Sequence, residues 1–509
     1  MSISIYIAPI ANGVELVEQL LHSEFNIDDS SAKSLSQSRV KPHFDRLKTT
    51  CYLLAETCYV DRVYRDSYYH YYSSKLSGYN RDCIRISIFE GVITADDFRL
   101  KEKKEYLQNL YRGFFILRPT EPFIIGRSVL SPKALTDNTF FSCTAIIPST
   151  VNGIKFSVEG FPHSSQDTET ITCAETTLWA VMEYFANKYP DYKPIFPSKI
   201  TDTLNKITSE RQVPSRGLNI QQMSFALKEF GFGTRIYARA NYTFDFEKLL
   251  STYVESGIPL ILGIDNRHAG GNIGHAVLCV GHEKIEDKAI DNIAENQITN
   301  KKLFSVAKSK ELKIYDLDDV KKEFVFIDDN QPAYKKAMLA DPTAHYALAW
   351  QGCTIKHFIV PLYHKIYLEA YEARNLVLTF LIQGLKPLQD KSEVLIKFFL
   401  TSSRSFKDAL ALNDSFQEDI RDMILETAMP KFIWVTEISN KKLIQEGKAD
   451  GIILIDATEA NKHSLSIKPL ILAAYQSNLI KFDLGSRKLK NSALSLQPFK
   501  IYSNNLRNL

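Results

Sequence analysis

The sequence predicts an α+β protein divided into two or three domains, and three observations lead there. The chain has 509 residues, beyond the roughly 250–300 at which a single hydrophobic core stops growing. Hydrophobic residues make up 45% and charged residues 24%, the balance of a chain that folds along its whole length. Helical and β-like runs are both present, with a middle part that delivers a long helix first and strands afterwards and a last part that interleaves the two.

Residues 1–150 read as an N-terminal α+β domain. A short strand over 2–8 and a helical run over 14–22 open it; CIRISIFEG and GFFILRPTEPFIIG, rich in Ile and Phe and bounded by Gly and Pro, read as strands. The tyrosine-rich CYVDRVYRDSYYHYYSSK places Val60, Tyr64, Tyr68 and Tyr71 on one helical face, which predicts packing rather than a recognition surface. Near residue 150 the turn-rich PSTVNGIKFSVEGFPHSSQDTET predicts a domain boundary.

Residues 151–365 read as a second domain. TCAETTLWAVMEYFANKYP carries apolar residues at 178, 181, 182 and 185, the spacing of a buried helical face, and stops before Pro190. Thr172 caps this helix, with Glu175 three residues on completing a capping box. LNIQQMSFALKEFGFG is a second helix ending at glycine, and GIPLILGI, GHAVLCVGHE and FVFIDD read as strands. Residues 366–509 begin with an amphipathic helix over 368–383. They continue with VLIKFFL, FIWVTEI and GIILIDAT, strands separated by helices, which reads as a small α/β domain. No internal repeat, low-complexity tract, Walker-type loop or dinucleotide fingerprint is present.

Composition narrows the function classes. Lys plus Arg number 62 against 59 Asp plus Glu, so no global field favours nucleic acid or an anionic membrane, and no nucleic-acid partner is expected. The N-terminus lacks a basic n-region and a continuous apolar h-region, and no stretch reaches the roughly 18 apolar residues of a membrane span, so the expected location is cytoplasmic. Seven cysteines, at 51, 58, 83, 143, 173, 279 and 353, are odd in number and thinly scattered, which argues for reduced thiols rather than a disulfide framework.

One of those thiols stands in a reactive setting. A thiolate is stabilised by a helix N-terminus or by a neighbouring imidazolium, and Cys173 directly follows the cap residue of its helix, where unpaired amides and the positive dipole end gather. His275 in GNIGHAVLCVGH opens an apolar strand after a glycine turn, placing a base at a strand mouth. His282 lies an odd number of residues away and is expected on the opposite sheet face; His268 sits in a glycine-rich loop. Reading His275, Cys279 and His282 as metal ligands requires a helix, whereas Gly274 and Gly281 bracket a strand, so no metal is expected. FVFIDDNQPAY ends a strand in Asp328 and Asp329, the placement of a carboxylate that orients an imidazole. Alternation points the two to opposite faces, so only one can serve, and Asp328 directly ends the apolar run. Gln166, seven residues before Cys173, has an amide that could donate to an oxyanion together with the Cys173 backbone N–H.

Gln166, Cys173 on a helix N-terminus, Gly274-His275-Ala276-Val277 on a strand and Asp328 or Asp329 at a strand end resemble, in order and kind, the papain-like cysteine peptidase superfamily. They are most similar to the bacterial branch of double-glycine leader peptidases of bacteriocin exporters. The similarity covers roughly 165 residues. It implies an oxyanion donor in Gln166, a nucleophile in Cys173, a base in His275 and an orienting aspartate. The branch usually continues Cys-Gly-Pro, whereas Ala174 and Glu175 follow Cys173 here. Glu175 places a carboxylate near the nucleophile that opposes thiolate formation unless the capping box engages it.

The resemblance implies a bacterial, cytoplasmic thiol hydrolase that cleaves peptide or isopeptide bonds of a protein or peptide substrate. It needs no cofactor, and the flanking domains would select the substrate or bind protein partners. Two other readings share the scaffold: an inactive papain-like module acting in protein recognition, and an acyltransferase or transglutaminase-like enzyme that uses the same acyl-enzyme.

Overall fold

A computed structural model describes residues 4–295, 312–384, 393–460, 469–483, 485–486, 488–503 and 506–508; residues 2–3 of the expected first strand lie outside them. The protein mixes helices and sheets in the α+β manner, with three seven-stranded sheets among the described residues.

The first sheet is wholly antiparallel. It runs in the order Ile5–Pro9, Cys51–Tyr59, Cys83–Glu90, Tyr111–Leu117, Ser128–Leu130, Ile154–His163, Ala145–Val151. The boundary expected at residue 150 falls inside its last hairpin. Asn152 and Gly153 both take positive φ, 45° and 81°, the two-residue turn that Asn-Gly favours because it matches the twist of the strands. What reads as a linker is a tight turn, and the sheet continues to His163.

In the tyrosine-rich stretch, Asp61 accepts from the Val63 and Tyr64 amides and caps the helix Arg62–His70. Val60 therefore lies outside the helix and is exposed, while Val63, Tyr64 and Ser67 form the buried face. The expected packing role holds for Tyr64, not for Val60.

The second sheet carries the site. Its order is Lys335–Ala337, Phe324–Ile327, Gly274–Glu283, Leu260–Asp265, Thr354–Tyr363, Phe232–Ala238, all antiparallel, with Phe140–Ser142 pairing against the far end of Gly274–Glu283. Gly281 permits that crossing, because a Cβ there would run into the Phe141 carbonyl. The helix Cys173–Lys188 packs between this sheet and the first. It is consequently buried nearly all round from Ala174 to Phe185, not on one face alone.

The third sheet departs from the expected α/β domain. Lys313–Asp316, Glu393–Ser402, Phe432–Ser439, Gly451–Asp456, Leu470–Tyr475, Asn478–Asp483 and Lys488–Ala493 follow one another. Only the first pair is parallel; the rest form an antiparallel meander. Its first strand comes from before residue 365, so the third region borrows an edge from the second. Strand patterning does not reveal strand direction, which the connections decide.

No helix of the described residues is long and apolar enough to cross a membrane.

Candidate active site

The site forms where three chain ends meet: the N-terminus of the helix Cys173–Lys188, the start of the strand Gly274–Glu283 and the exit of the strand Phe324–Ile327. Antiparallel pairing, with Leu278 opposite Ile327, brings His275 and Asp328 out at the same end of the sheet.

His275 is buried, and its Nε2 lies 3.0 Å from Asp328 Oδ1. The thiol of Cys173 is near enough to act on the same ring. Burial opposes a charge on His275. The Asp328 carboxylate and its hydrogen bond, the neighbouring thiol and the Asp329 carboxylate outweigh that penalty, and the imidazole is held well above its ordinary range. Asp328 is buried too, yet the charge and hydrogen bond of His275, the Tyr346 hydroxyl and the Asn330 amide hold its carboxyl down to about 2. The Asn330 N–H donates to Oδ1 at 2.9 Å, and the Tyr346 hydroxyl donates to Oδ2.

Asp329 does not point away. The strand stops at Ile327, so strand alternation no longer governs 328 and 329, and Asp329 Oδ1 lies 3.4 Å from the same Nε2. Both acids face one imidazole, which corrects the expectation of opposite faces. The two are not equivalent, since among the described residues neither Asp329 oxygen has a hydrogen-bond donor. Burial, reinforced by the Asp328 charge, pushes it well above the usual carboxylate range. The imidazole nitrogen and the two carboxylates fall within 4.8 Å of one another, a donor set able to hold a cation.

A parity argument also fails at His282. A bulge between Cys279 and Gly281 shifts the register so that His282 opposes Phe324 while Cys279 opposes Phe326, which returns His282 to the face His275 occupies. It stands about 23 Å along the strand from His275, with Nε2 2.9 Å from Glu255 Oε2. His268 is peripheral, its Nδ1 accepting from Lys356.

The carboxylate beside Cys173 is fully engaged. Glu175 accepts from the Thr172 N–H at 3.1 Å and from the Thr172 and Ser215 hydroxyls at 2.6 Å each, within a capping box. The loop before the helix is shaped by Asp167, which accepts the amides of Glu169, Thr170 and Ile171 at 3.0, 2.7 and 2.9 Å. Gln166 sits in this loop, and its amide donates to Asn330 Oδ1 at 3.3 Å, beside the acid-bearing turn.

Among the other thiols, burial pushes Cys51 up to about 11 and Cys143 up to about 12, and raises Cys83, Cys279 and Cys353 as well. All seven are free. Cys173 combines partial exposure with a histidine neighbour.

Sequence reasoning missed Tyr346 and Trp350, which stack at 4.3 Å, Trp350 also meeting the His275 ring edge-on at 5.1 Å. Their segment has no helical or strand period to announce it. It also missed Arg118 and His163 from the first sheet; an arginine inside the apolar run GFFILRPTEPF is a signal that could have been read.

No protein-family model matches the chain, and no curated protein matches it.

Proposed function

We propose that this protein is a papain-like thiol hydrolase acting on peptide or isopeptide bonds of a protein substrate in the cytoplasm. The observation that carries the reading is Cys173, at a helix N-terminus, lying beside an imidazole that a buried carboxylate backs from the other side. With Nε2 committed to Asp328, Nδ1 is the ring nitrogen left to serve the sulfur. An imidazolium next to a thiol favours the thiolate.

The thiolate attacks a carbonyl carbon, forming a C–S bond and placing the carbonyl electron pair on oxygen. Gln166 and the Cys173 N–H are the expected donors to that oxyanion. The C–N bond then breaks as the imidazolium gives its proton to the departing amine. Water, losing a proton to His275, releases the acyl group as a carboxylic acid and restores the thiol.

The test uses iodoacetamide on the full-length protein. Cys173 is expected to be alkylated far faster than the other six cysteines, Cys173→Ala to abolish the fast phase and His275→Ala to slow it by roughly a hundredfold at neutral pH. Fast labelling that survives loss of Cys173, or that ignores His275, would sink the reading in favour of a recognition module. The cation-capable donor set around Nε2 makes a chelator control worthwhile: EDTA should leave the fast phase unchanged.

A further inference from the structure

Arg118 is buried, 4% exposed. Among the described residues its guanidinium donates to three backbone carbonyls. Nε reaches Phe123 O at 3.2 Å, and one terminal nitrogen reaches Ser165 O at 2.8 Å and Gln166 O at 2.7 Å. Burying a cation is costly, so its retention under a loop asks for a reason.

That loop leads into the site. The Gln166 side chain donates to Asn330 Oδ1, the Asn330 amide donates to Asp328 Oδ1, and Asp328 accepts from His275. From the first sheet, whose strand Tyr111–Leu117 directly precedes Arg118, His163 Nε2 donates to the carbonyls of Asp328 at 3.2 Å and Gln331 at 3.1 Å. The first sheet thus grips both sides of the Gln166–Asn330 contact, one loop through Arg118 and the other through His163.

We infer that Arg118 is a positioning residue for the hydrolysis proposed above: it fixes the backbone of Gln166, and with it the side chain that is to meet the oxyanion. This rests on the thiol-hydrolase reading. A donor held in place beforehand needs no reorganisation when the oxyanion forms, and a small displacement of a donor loop is enough to forfeit much of a rate.

The consequence separates two reactions of the same sulfur. p-Nitrophenyl acetate acylates Cys173 through an oxyanion, whereas iodoacetamide alkylates it by displacement at a saturated carbon and forms none. In the full-length protein, Arg118→Met is expected to lower the acylation rate by about tenfold or more and to leave the alkylation rate within about twofold. Arg118→Lys, which keeps the charge but cannot span the three carbonyls, should recover part of the acylation; it also serves if Arg118→Met does not fold, where reduced acylation with unchanged alkylation is again expected. Unchanged acylation, or an equal fall in both rates, overturns the inference. Absence of His275-dependent alkylation in the unsubstituted protein overturns the hydrolase reading and this inference with it.

Discussion

The first and third sheets stand in different relations to the site between them. The first shares one continuous hydrophobic core with the site-bearing helix and one face of the second sheet, from Val17 through Phe161 and Leu178 to Ile359. Polar contacts also pass from it directly to the site loops: Arg118 and His163 as described, and Tyr334, whose hydroxyl accepts from the Phe161 amide at 2.7 Å and donates to Leu130 O at 2.9 Å. The third sheet packs on the other face of the second through Leu262, Phe358 and Trp434 and keeps a further core of its own around Phe399, Ile433 and Leu472. It adds a buried ionic seam, Arg374 pairing with Asp316 and Asp318. Among the described residues, no hydrogen bond or ion pair of Gln166, Cys173, His275, Asp328 or Asp329 reaches a residue beyond Trp350. The difference teaches that the N-terminal layer is a structural part of the site, whereas the C-terminal layer supports the sheet that carries it.

The sharpest way to test the contrast starts at the site and moves outward. Asp328→Asn should slow Cys173 alkylation by about a hundredfold or more and remove a pH-dependent stability. His275, held above its ordinary value, contributes stability that is complete below about 6.5 and is lost as pH rises through its raised value. Asp328, held down to about 2, contributes stability present above its unfolded value and lost as pH falls toward 2. Urea unfolding across pH 2–9 should show both flanks in the unsubstituted protein; in Asp328→Asn the acid flank should disappear and the His275 flank should shrink, since Asp329 still faces the ring.

A smaller effect is expected from His163→Ala, which releases the acid-bearing turn from the first sheet. Alkylation should fall roughly tenfold, with about 1–3 kcal/mol of stability lost because the Asp328 and Gln331 carbonyls lose a buried donor. The third sheet should behave in the opposite way. Arg374→Met strands two buried carboxylates and is expected to cost about 3–5 kcal/mol in unfolding measurements, yet change Cys173 alkylation of the still-folded protein by less than about twofold. A large rate loss there would erase the distinction between the layers. Least affected in rate should be Asp329→Asn, since Asp328 already orients the ring. Its raised carboxyl holds a proton more tightly when folded, so its stability contribution is present at low pH and lost as pH rises through the carboxylate range; Asp329→Asn should flatten that decline above pH 4.

The candidate site residues were legible because they sit on elements that announce themselves. Thr172, Cys173 and Glu175 mark a helix start, Gly274 and His275 a strand start, and Asp328 a strand end; each was found where local pattern placed it. Wherever the reading relied on strand alternation past the end or through the middle of a strand it failed, at Asp329 because the strand had stopped and at His282 because a bulge had inserted a residue. Sheets cross the expected boundaries at 150 and 365 for a related reason. Asn152-Gly153 marks a turn without saying whether the next strand returns to the same sheet, and nothing local in Lys313–Asp316 says which sheet it will join.

The sequence by itself determined the α+β mixture, the helix and strand on which Cys173 and His275 stand, and the capping box that engages Glu175, since these depend on neighbours within a few residues. Only the tertiary structure decided that both aspartates face one imidazole, that Trp350 meets that ring and Tyr346 holds Asp328, and that Arg118 and His163 hold the loops on either side. Those contacts join residues from 18 to 168 positions apart, and at such separations the partner is chosen by how the sheets pack, a long-range outcome that no local period encodes.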